Sequence, residues 1–96
     1  MSIRLIITID AAQGKGDELG EALKGRCEEV VREPGCEQFE VFRSLTDPDK
    51  LVLLEHWQDK AALDVHARAN AQRTPFSTDL IAGASRREDY TYNRTR

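Results

Sequence analysis

Three side chains in the middle of the chain have chemistry that a functional site could use: Glu55, Trp57 and His66. Residues 51–57 form a largely apolar run, and alternation along a strand puts Glu55 and Trp57 on the same face. His66 follows on a predicted helix, in the stripe that also carries Leu63. Because an imidazole titrates near neutral pH and burial raises the pKa of a carboxyl group, His66 and Glu55 are candidate acid and base groups. Trp57 could stack on an aromatic ring.

A structural role is the alternative for each of these residues. A lone histidine on an apolar helical stripe is often a hydrogen-bonded core residue, and a tryptophan at a strand end commonly packs in the core. His56 alternates to the opposite face of the strand, where we expect it to meet a partner subunit or solvent. The residues expected to line the substrate pocket are Leu53, Leu63 and Phe76.

The two cysteines, Cys27 and Cys36, give no spacing typical of a metal site, so we predict no bound metal. Neither has a sequence neighbour that would activate a thiol, and we expect both to be small packing residues. Free thiols suit a reducing compartment, and the chain begins on a strand pattern without the features of a signal peptide. The expected location is the cytoplasm.

Composition indicates a single globular domain over residues 1–96. The chain is 32% charged and 40% hydrophobic with a formal net charge of -3, and it contains no apolar run long enough to cross a membrane. Its arginines near the C-terminus are interrupted by Glu88 and Asp89, so they predict a solvated face rather than nucleic-acid binding. A domain this small buries only a modest core, which favours an oligomer.

Hydrophobic periodicity predicts four strands. Residues 3–9 are nearly continuous in apolar character, and residues 51–54 share that character, so we expect both strands to be central and largely covered on both faces. Residues 37–43 and 85–94 carry many more polar side chains, which is typical of edge strands.

Two helices and a short third one are predicted between these strands. Apolar residues recur at helical spacing over residues 19–30, where Gly20 and Gly25 should each cost about 1 kcal/mol relative to alanine. Asp59 is a candidate N-cap for the second helix. Thr74 and Pro75 resemble the start of the short third helix, running through Leu80 and ending at Gly83.

The resulting order is strand, helix, strand, strand, helix, short helix, strand. Right-handed crossover then gives an α+β, ferredoxin-like βαββαβ fold with a four-stranded antiparallel sheet and helices on one face. Leu51 and Leu53 point to one side of their strand while Val52 and Leu54 point to the other. The face without helices is therefore also apolar, and a second sheet from a homodimeric partner is its simplest cover.

The stretch from Glu33 to His66 resembles the antibiotic biosynthesis monooxygenase family. The matching features, in order, are Glu33-Pro34-Gly35-Cys36, Asp47-Pro48-Asp49, Leu53-Leu54-Glu55-His56-Trp57 and the helix Ala61-Ala62-Leu63-Asp64-Val65-His66. The resemblance implies a homodimeric α/β barrel and oxidation of a small aromatic or quinol-like substrate by dioxygen, with no metal or flavin cofactor. It further implies that His66 moves a proton, that Trp57 holds the ring, and that Glu55 orients His66 or is itself the base.

The chain also departs from the family pattern. Many relatives have a Thr-Pro-His segment after the helix, whereas Thr74-Pro75-Phe76 has phenylalanine in place of that histidine. The haem-degrading branch uses an asparagine on its first strand, where this chain offers only Thr8. Two alternatives follow: a non-catalytic dimeric module that binds a small molecule, and an isomerase or lyase of the same fold.

Overall fold

A computed structural model describes residues 1–95. The strands are β1 (Ser2–Asp10), β2 (Cys36–Arg43), β3 (Lys50–Trp57) and β4 (Arg86–Tyr92), and the helices are α1 (Gly16–Val30), α2 (Lys60–Asn70) and a 3₁₀ turn at Thr78–Leu80. The sheet has the order β2-β3-β1-β4, and every neighbouring pair is antiparallel. The predicted ferredoxin-like βαββαβ fold is confirmed, with the two apolar strands in the centre.

The register of β1 against β3 determines which side chains share the helix-covered face. Ile3 lies opposite Trp57, and Leu5 lies opposite Glu55. Both helices pack on this side, and the buried core has two clusters that are both contacted by Ile7 and Val41. The first consists of Leu5, Cys27, Val30, Phe39, Leu53, Trp57 and Leu63, and the second of Ile9, Ala11, Leu19, Leu23 and Leu51.

The start of α1 is stabilised by the β2–β3 hairpin. The backbone N–H groups of Gly14 and Gly16 both donate to the Asp49 carboxylate, each at 3.0 Å. Lys15 at the N-cap makes no side-chain capping bond, so Asp49 supplies the acceptor that a helix start needs.

The turn after α1 brings residues 31–35 beside α2. Gly35 has a φ of 80°, which a residue with a Cβ rarely adopts. The N–H of Gln58 donates to the Gly35 carbonyl at 2.9 Å, which ties the turn to the end of β3. Glu33 is thereby placed near the face of α2 that points to the sheet.

The second helix begins as predicted and buries the predicted stripe. The Asp59 carboxylate accepts a hydrogen bond from the N–H of Ala62 at 2.8 Å. Leu63 and His66 are the buried residues of α2. Neither α2 nor any other helix in residues 1–95 is long and apolar enough to cross a membrane.

The predicted start of the third helix is wrong. The 3₁₀ turn begins only at Thr78, and Ser77 caps it by accepting from the N–H of Asp79 at 3.3 Å. Pro75 disfavours a helical conformation at Thr74, and the Thr74 carbonyl accepts from Arg26 at 2.8 Å instead. The last strand is also shorter than predicted, because its ladder with β1 ends where Tyr92 pairs with Ser2.

Gly16 and Gly25 form a matched pair for testing the hairpin contact. A Cβ at Gly16 would overlap the Pro48 carbonyl oxygen and lie 2.9 Å from Asp49 Oδ1, whereas a Cβ at Gly25 would meet nothing within 4 Å. We expect Gly16→Ala to lower the free energy of unfolding by about 1–3 kcal/mol. Gly25→Ala should raise it by about 1 kcal/mol. Urea unfolding measures both, and equal effects would contradict the proposed contact.

Candidate functional site

A cavity of about 510 Å³ lies between the helix-covered face of the sheet and α2. Five of the six predicted site residues line it: Leu53, Glu55, Leu63, His66 and Phe76. Its other walls include Leu5, Ile7, Leu23 and Phe39, so most of its surface is apolar. A more open groove of about 560 Å³ runs between α1 and β2, but none of the predicted site residues borders it. The cavity beside α2 is therefore the candidate site.

Glu55 supplies a buried carboxyl group at the cavity. The residue is 3% exposed, and its Oε1 accepts a hydrogen bond from Trp57 Nε1 at 2.8 Å. Burial raises the pKa of Glu55, and the opposing effects of Trp57 donation and the nearby His66 only partly offset it. Glu55 therefore holds a proton to higher pH than an exposed glutamate does.

Trp57 lies behind the site rather than on the cavity wall. It is fully buried, and its ring centroid is 4.7 Å from that of His66 with a 30° angle between the planes. The structure thus brings Trp57 to Glu55 and His66 without exposing its ring to a ligand. The aromatic surface of the cavity belongs to Phe39 and Phe76.

His66 presents only part of its imidazole to the cavity. The residue is 7% exposed, with Nδ1 at 3.0 and 3.3 Å from the two carboxylate oxygens of Glu33. The hydrogen bonds of His66 and Glu55 use Nδ1 and Oε1, and neither Nε2 of His66 nor Oε2 of Glu55 is among the fully buried, unbonded polar atoms of residues 1–95. Because both residues line the cavity, these two atoms are the ones that a ligand could reach.

Sequence reasoning missed Glu33 as a site residue. Its carboxylate also accepts from Arg73 Nη2 at 2.8 Å, and Arg73 Nε lies 3.5 Å from Glu29. The orienting contact that we considered for Glu55 is thus made by Glu33. Glu33 and His66 are separated by 33 positions and lie on different elements, so no local spacing pairs them. The only sequence signal was the position of Glu33 at the start of the Glu-Pro-Gly motif.

His56 occupies the opposite face of the sheet, as alternation predicted, but it does not meet solvent. The residue is 4% exposed, its ring centroid is 4.0 Å from that of Tyr92, and its Nδ1 lies 3.3 Å from Glu37. The same chain covers His56, because Tyr92 of β4 pairs with Ser2 of β1 and its ring lies against the imidazole. Burial lowers the pKa of His56.

The charged side chains around the cavity are paired with one another. Arg87 donates to Asp89 at 2.6 and 2.7 Å, and Lys60 lies 3.0 Å from Asp64. The Arg26 guanidinium lies over the Phe76 ring, 4.5 Å from its centroid. These pairs leave the acid and base chemistry of the cavity to Glu55 and His66.

The cysteines lie in or beside the same core without forming a disulfide. Burial, together with the nearby Glu55, raises the pKa of each thiol to about 11. Both thiols are thus neutral at physiological pH, which is poor for nucleophilic or metal-binding chemistry. Among residues 1–95 there is no group of three or more side chains of the kinds that hold a metal ion.

Comparison with known proteins identifies the family. The family model described as antibiotic biosynthesis monooxygenase matches residues 2–74. No curated protein matches the chain.

Solved structures share the fold over nearly the whole chain. A conserved protein from Methanosarcina mazei Go1 is 25% identical, with a TM-score of 0.84 over 97% of this chain and 94% of its own. A protein from Pseudomonas aeruginosa is 24% identical, with a TM-score of 0.82 over 97% and 95%. A structure described as an antibiotic biosynthesis monooxygenase is 20% identical, with a TM-score of 0.80 over 96% and 99%. Since the family model covers three quarters of the sequence, the chain belongs to the antibiotic biosynthesis monooxygenase family.

Proposed function

We propose that the protein is a homodimeric, cofactor-independent monooxygenase that oxidises a small aromatic compound of the quinol or anthrone type with dioxygen. One observation carries the proposal: His66 and Glu55 line the same mainly apolar cavity, and their contacts with Glu33 and Trp57 leave Nε2 of His66 and Oε2 of Glu55 for a ligand. The two free cysteines favour a reducing compartment, so the proposed location is the cytoplasm.

The cavity suits a flat organic substrate. Its volume of about 510 Å³ lies in the range of small-molecule sites, roughly 300–1,000 Å³. Leu5, Ile7 and Leu53 offer apolar contact on the sheet side, and Phe39 and Phe76 offer aromatic surface. The cations at its rim are already paired, which favours a neutral substrate over a phosphorylated one.

In the proposed reaction, Nε2 of His66 removes a proton from the substrate. The resulting anion transfers one electron to dioxygen, and the substrate radical and superoxide then combine through a new C–O bond. For an anthrone, loss of the second proton with cleavage of the O–O bond leaves a carbonyl group, and the other oxygen atom departs as water. A quinol that only loses two electrons and two protons gives a quinone while dioxygen becomes hydrogen peroxide, which is the oxidase branch of the same chemistry without oxygen insertion. The substrate anion itself supplies the electrons, so neither metal nor flavin takes part.

Glu55 complements His66 because it holds its proton more tightly than an exposed carboxyl group. With its raised pKa, Glu55 can donate a proton to the departing oxygen or take one back after the reaction. Trp57 fixes the carboxyl group by donating to Oε1, and Oε2 is left for the substrate. Trp57 thus acts as a support for both reacting groups.

The homodimer is proposed from the face of the sheet that the helices leave uncovered. Ile6, Val52, Leu54 and Phe42 share that face by register, and Phe42 is 45% exposed. A contiguous apolar surface on a small domain commonly marks an interaction site. A second copy can present the same apolar face and bury both.

A non-catalytic binding module is the second candidate. It is favoured by Phe76, which lines the cavity and replaces the histidine that many relatives have in their Thr-Pro-His segment. Among residues 1–95, His66 is then the one imidazole on the cavity wall. An isomerase or lyase would use the same two acid and base groups without oxygen.

The enzyme hypothesis is tested by oxygen uptake with menadiol and the purified, metal-free protein. We expect turnover above the spontaneous rate, and His66→Ala should reduce it by about 10²- to 10⁴-fold, the usual contribution of a general base. Arg68→Ala is the control, because Arg68 is exposed on the same helix as His66 and does not line the cavity, and it should retain activity.

Three other outcomes would each change the conclusion. Wild-type protein that adds nothing to the spontaneous rate would refute the proposal for quinols, and an anthrone would be tried next. Saturable binding without any product would support the binding module. Turnover that persists without oxygen would support the isomerase or lyase.

The raised pKa of Glu55 makes stability depend on pH. Folding favours its protonated form, so its stabilising contribution is present below the unfolded-state pKa of about 4.3 and is lost as pH rises through the folded-state value. Glu55→Gln removes this dependence while keeping an acceptor for Trp57. In urea unfolding, the variant should therefore gain more stability over the wild type at pH 8 than at pH 4. The same difference at both pH values would argue against a buried, ionisable Glu55.

The homodimer is tested by sedimentation velocity over a dilution series. Leu54→Lys puts a charge on the proposed interface and should raise the dimer dissociation constant at least about tenfold, which corresponds to roughly 1.4 kcal/mol. Val65→Lys is the control, since Val65 is 48% exposed on α2, away from that face. A wild-type protein that stays monomeric at high concentration would exclude the dimer.

A further inference from the structure

We propose that Glu33 is a positioning residue that holds His66 in the tautomer with hydrogen on Nδ1, so that Nε2 faces the cavity as a proton acceptor. The catalytic use of this tautomer rests on the proposed function. The tautomer itself depends only on the contact between Glu33 and His66. Nothing in the family resemblance assigns a role to Glu33.

The proposal rests first on the hydrogen-bond geometry. Nδ1 of His66 is within 3.0 and 3.3 Å of the two oxygens of Glu33. A carboxylate only accepts hydrogen bonds, so Nδ1 must carry the hydrogen. In a neutral imidazole the other nitrogen, Nε2, is then an acceptor with a free lone pair.

Neighbouring side chains keep the imidazole from turning over. The Trp57 ring packs against it at 4.7 Å, and the Phe39 ring centroid lies 5.5 Å away. A flip of the ring would remove Nδ1 from Glu33 and leave a carboxylate that is only 15% exposed without its histidine donor. The ring orientation is thus set by packing, and Glu33 selects which nitrogen carries the hydrogen.

Arg73 fixes Glu33 in turn. It donates to Glu33 Oε2 at 2.8 Å from the segment that follows α2, while Glu33 lies in the turn that follows α1. The side chain of Arg73 is 21% exposed, so this ion pair is partly shielded from water. The two helix ends are therefore joined through the residue that orients His66.

The arrangement also determines how the proton moves. Substrate C–H or O–H breaks, the proton joins Nε2, and the hydrogen on Nδ1 stays where it is. The imidazolium that forms lies beside the Glu33 carboxylate, which stabilises its positive charge. Glu33 does not line the cavity, and so it is a positioning residue and not a catalytic one.

The test measures the tautomer directly by ¹⁵N NMR of the imidazole, at a pH where the ring is neutral. The chain has two histidines, so His56 is replaced by glutamine in every protein compared, and the remaining imidazole signals all come from His66. We expect wild-type His66 to carry its hydrogen on Nδ1. Glu33→Ala should shift the population toward hydrogen on Nε2, whereas Glu33→Gln should preserve the wild-type tautomer, because the amide oxygen can still accept.

Turnover of menadiol provides the second measurement. Glu33→Ala should lower kcat by at least about tenfold, and at most by the full 10²- to 10⁴-fold effect of losing the base, with little change in KM. Glu33→Gln should recover part of this loss. Glu28→Ala is the control, because Glu28 is an exposed glutamate of the same helix that lies outside the cavity lining, and it should leave both readouts unchanged.

The outcomes separate this inference from the proposed function. Wild-type His66 with hydrogen on Nε2 would overturn the inference even if no variant folded, and so would an unchanged tautomer in Glu33→Ala. The predicted tautomers without menadiol turnover would uphold the role of Glu33 while refuting the quinol oxidase activity.

Discussion

The antiparallel pairing of β1 with β3 is the constraint on which the rest of the molecule depends. These two strands are the most apolar of the four and occupy the centre of the sheet, and Ile6, Val52 and Leu54 make part of the face without helices apolar as well, so each face needs a cover. The helices cover one face but leave room above it, and that room is the cavity. The other face remains partly exposed, which is the physical basis for proposing a second subunit.

The site consists of buried positions on β3 and α2, two of which carry the polar side chains of Glu55 and His66. Alternation along β3 puts Glu55 and Trp57 side by side, and the stripe of α2 brings His66 against them. Burying a carboxyl group and an imidazole costs stability unless each has a partner, and here Trp57 and Glu33 serve as those partners. Each contact uses one polar atom of its side chain, Oε1 of Glu55 or Nδ1 of His66, so the second polar atom stays available to a ligand.

Local sequence patterns predicted the strands, the two main helices and the N-cap of α2, because these features depend on residues close together in the chain. The periods of two and 3.6 residues gave the strands and helices, and Asp59 capped α2 as its position indicated. The same periods placed Leu53, Glu55, Leu63 and His66 on one cavity, whereas Phe76 lines it from a segment whose predicted helix start was wrong. They could not show that the Trp57 ring lies behind His66, because a strand pattern gives the face of a side chain and not its depth. Contacts between distant segments, such as Glu33 with His66 and Arg26 with Thr74, depend on tertiary packing that no spacing encodes.

The most direct test of the central claim, that a small aromatic compound binds beside Glu55 and His66, uses the single tryptophan of the chain as a reporter. The indole N–H of Trp57 donates to Glu55, and its ring packs on His66, so a ligand at either group should alter its NMR signal. An oxygen-free titration with menadiol should shift this one signal saturably, with one molecule bound per chain. A signal that stays unchanged while menadiol binds, or the absence of any binding, would contradict the account.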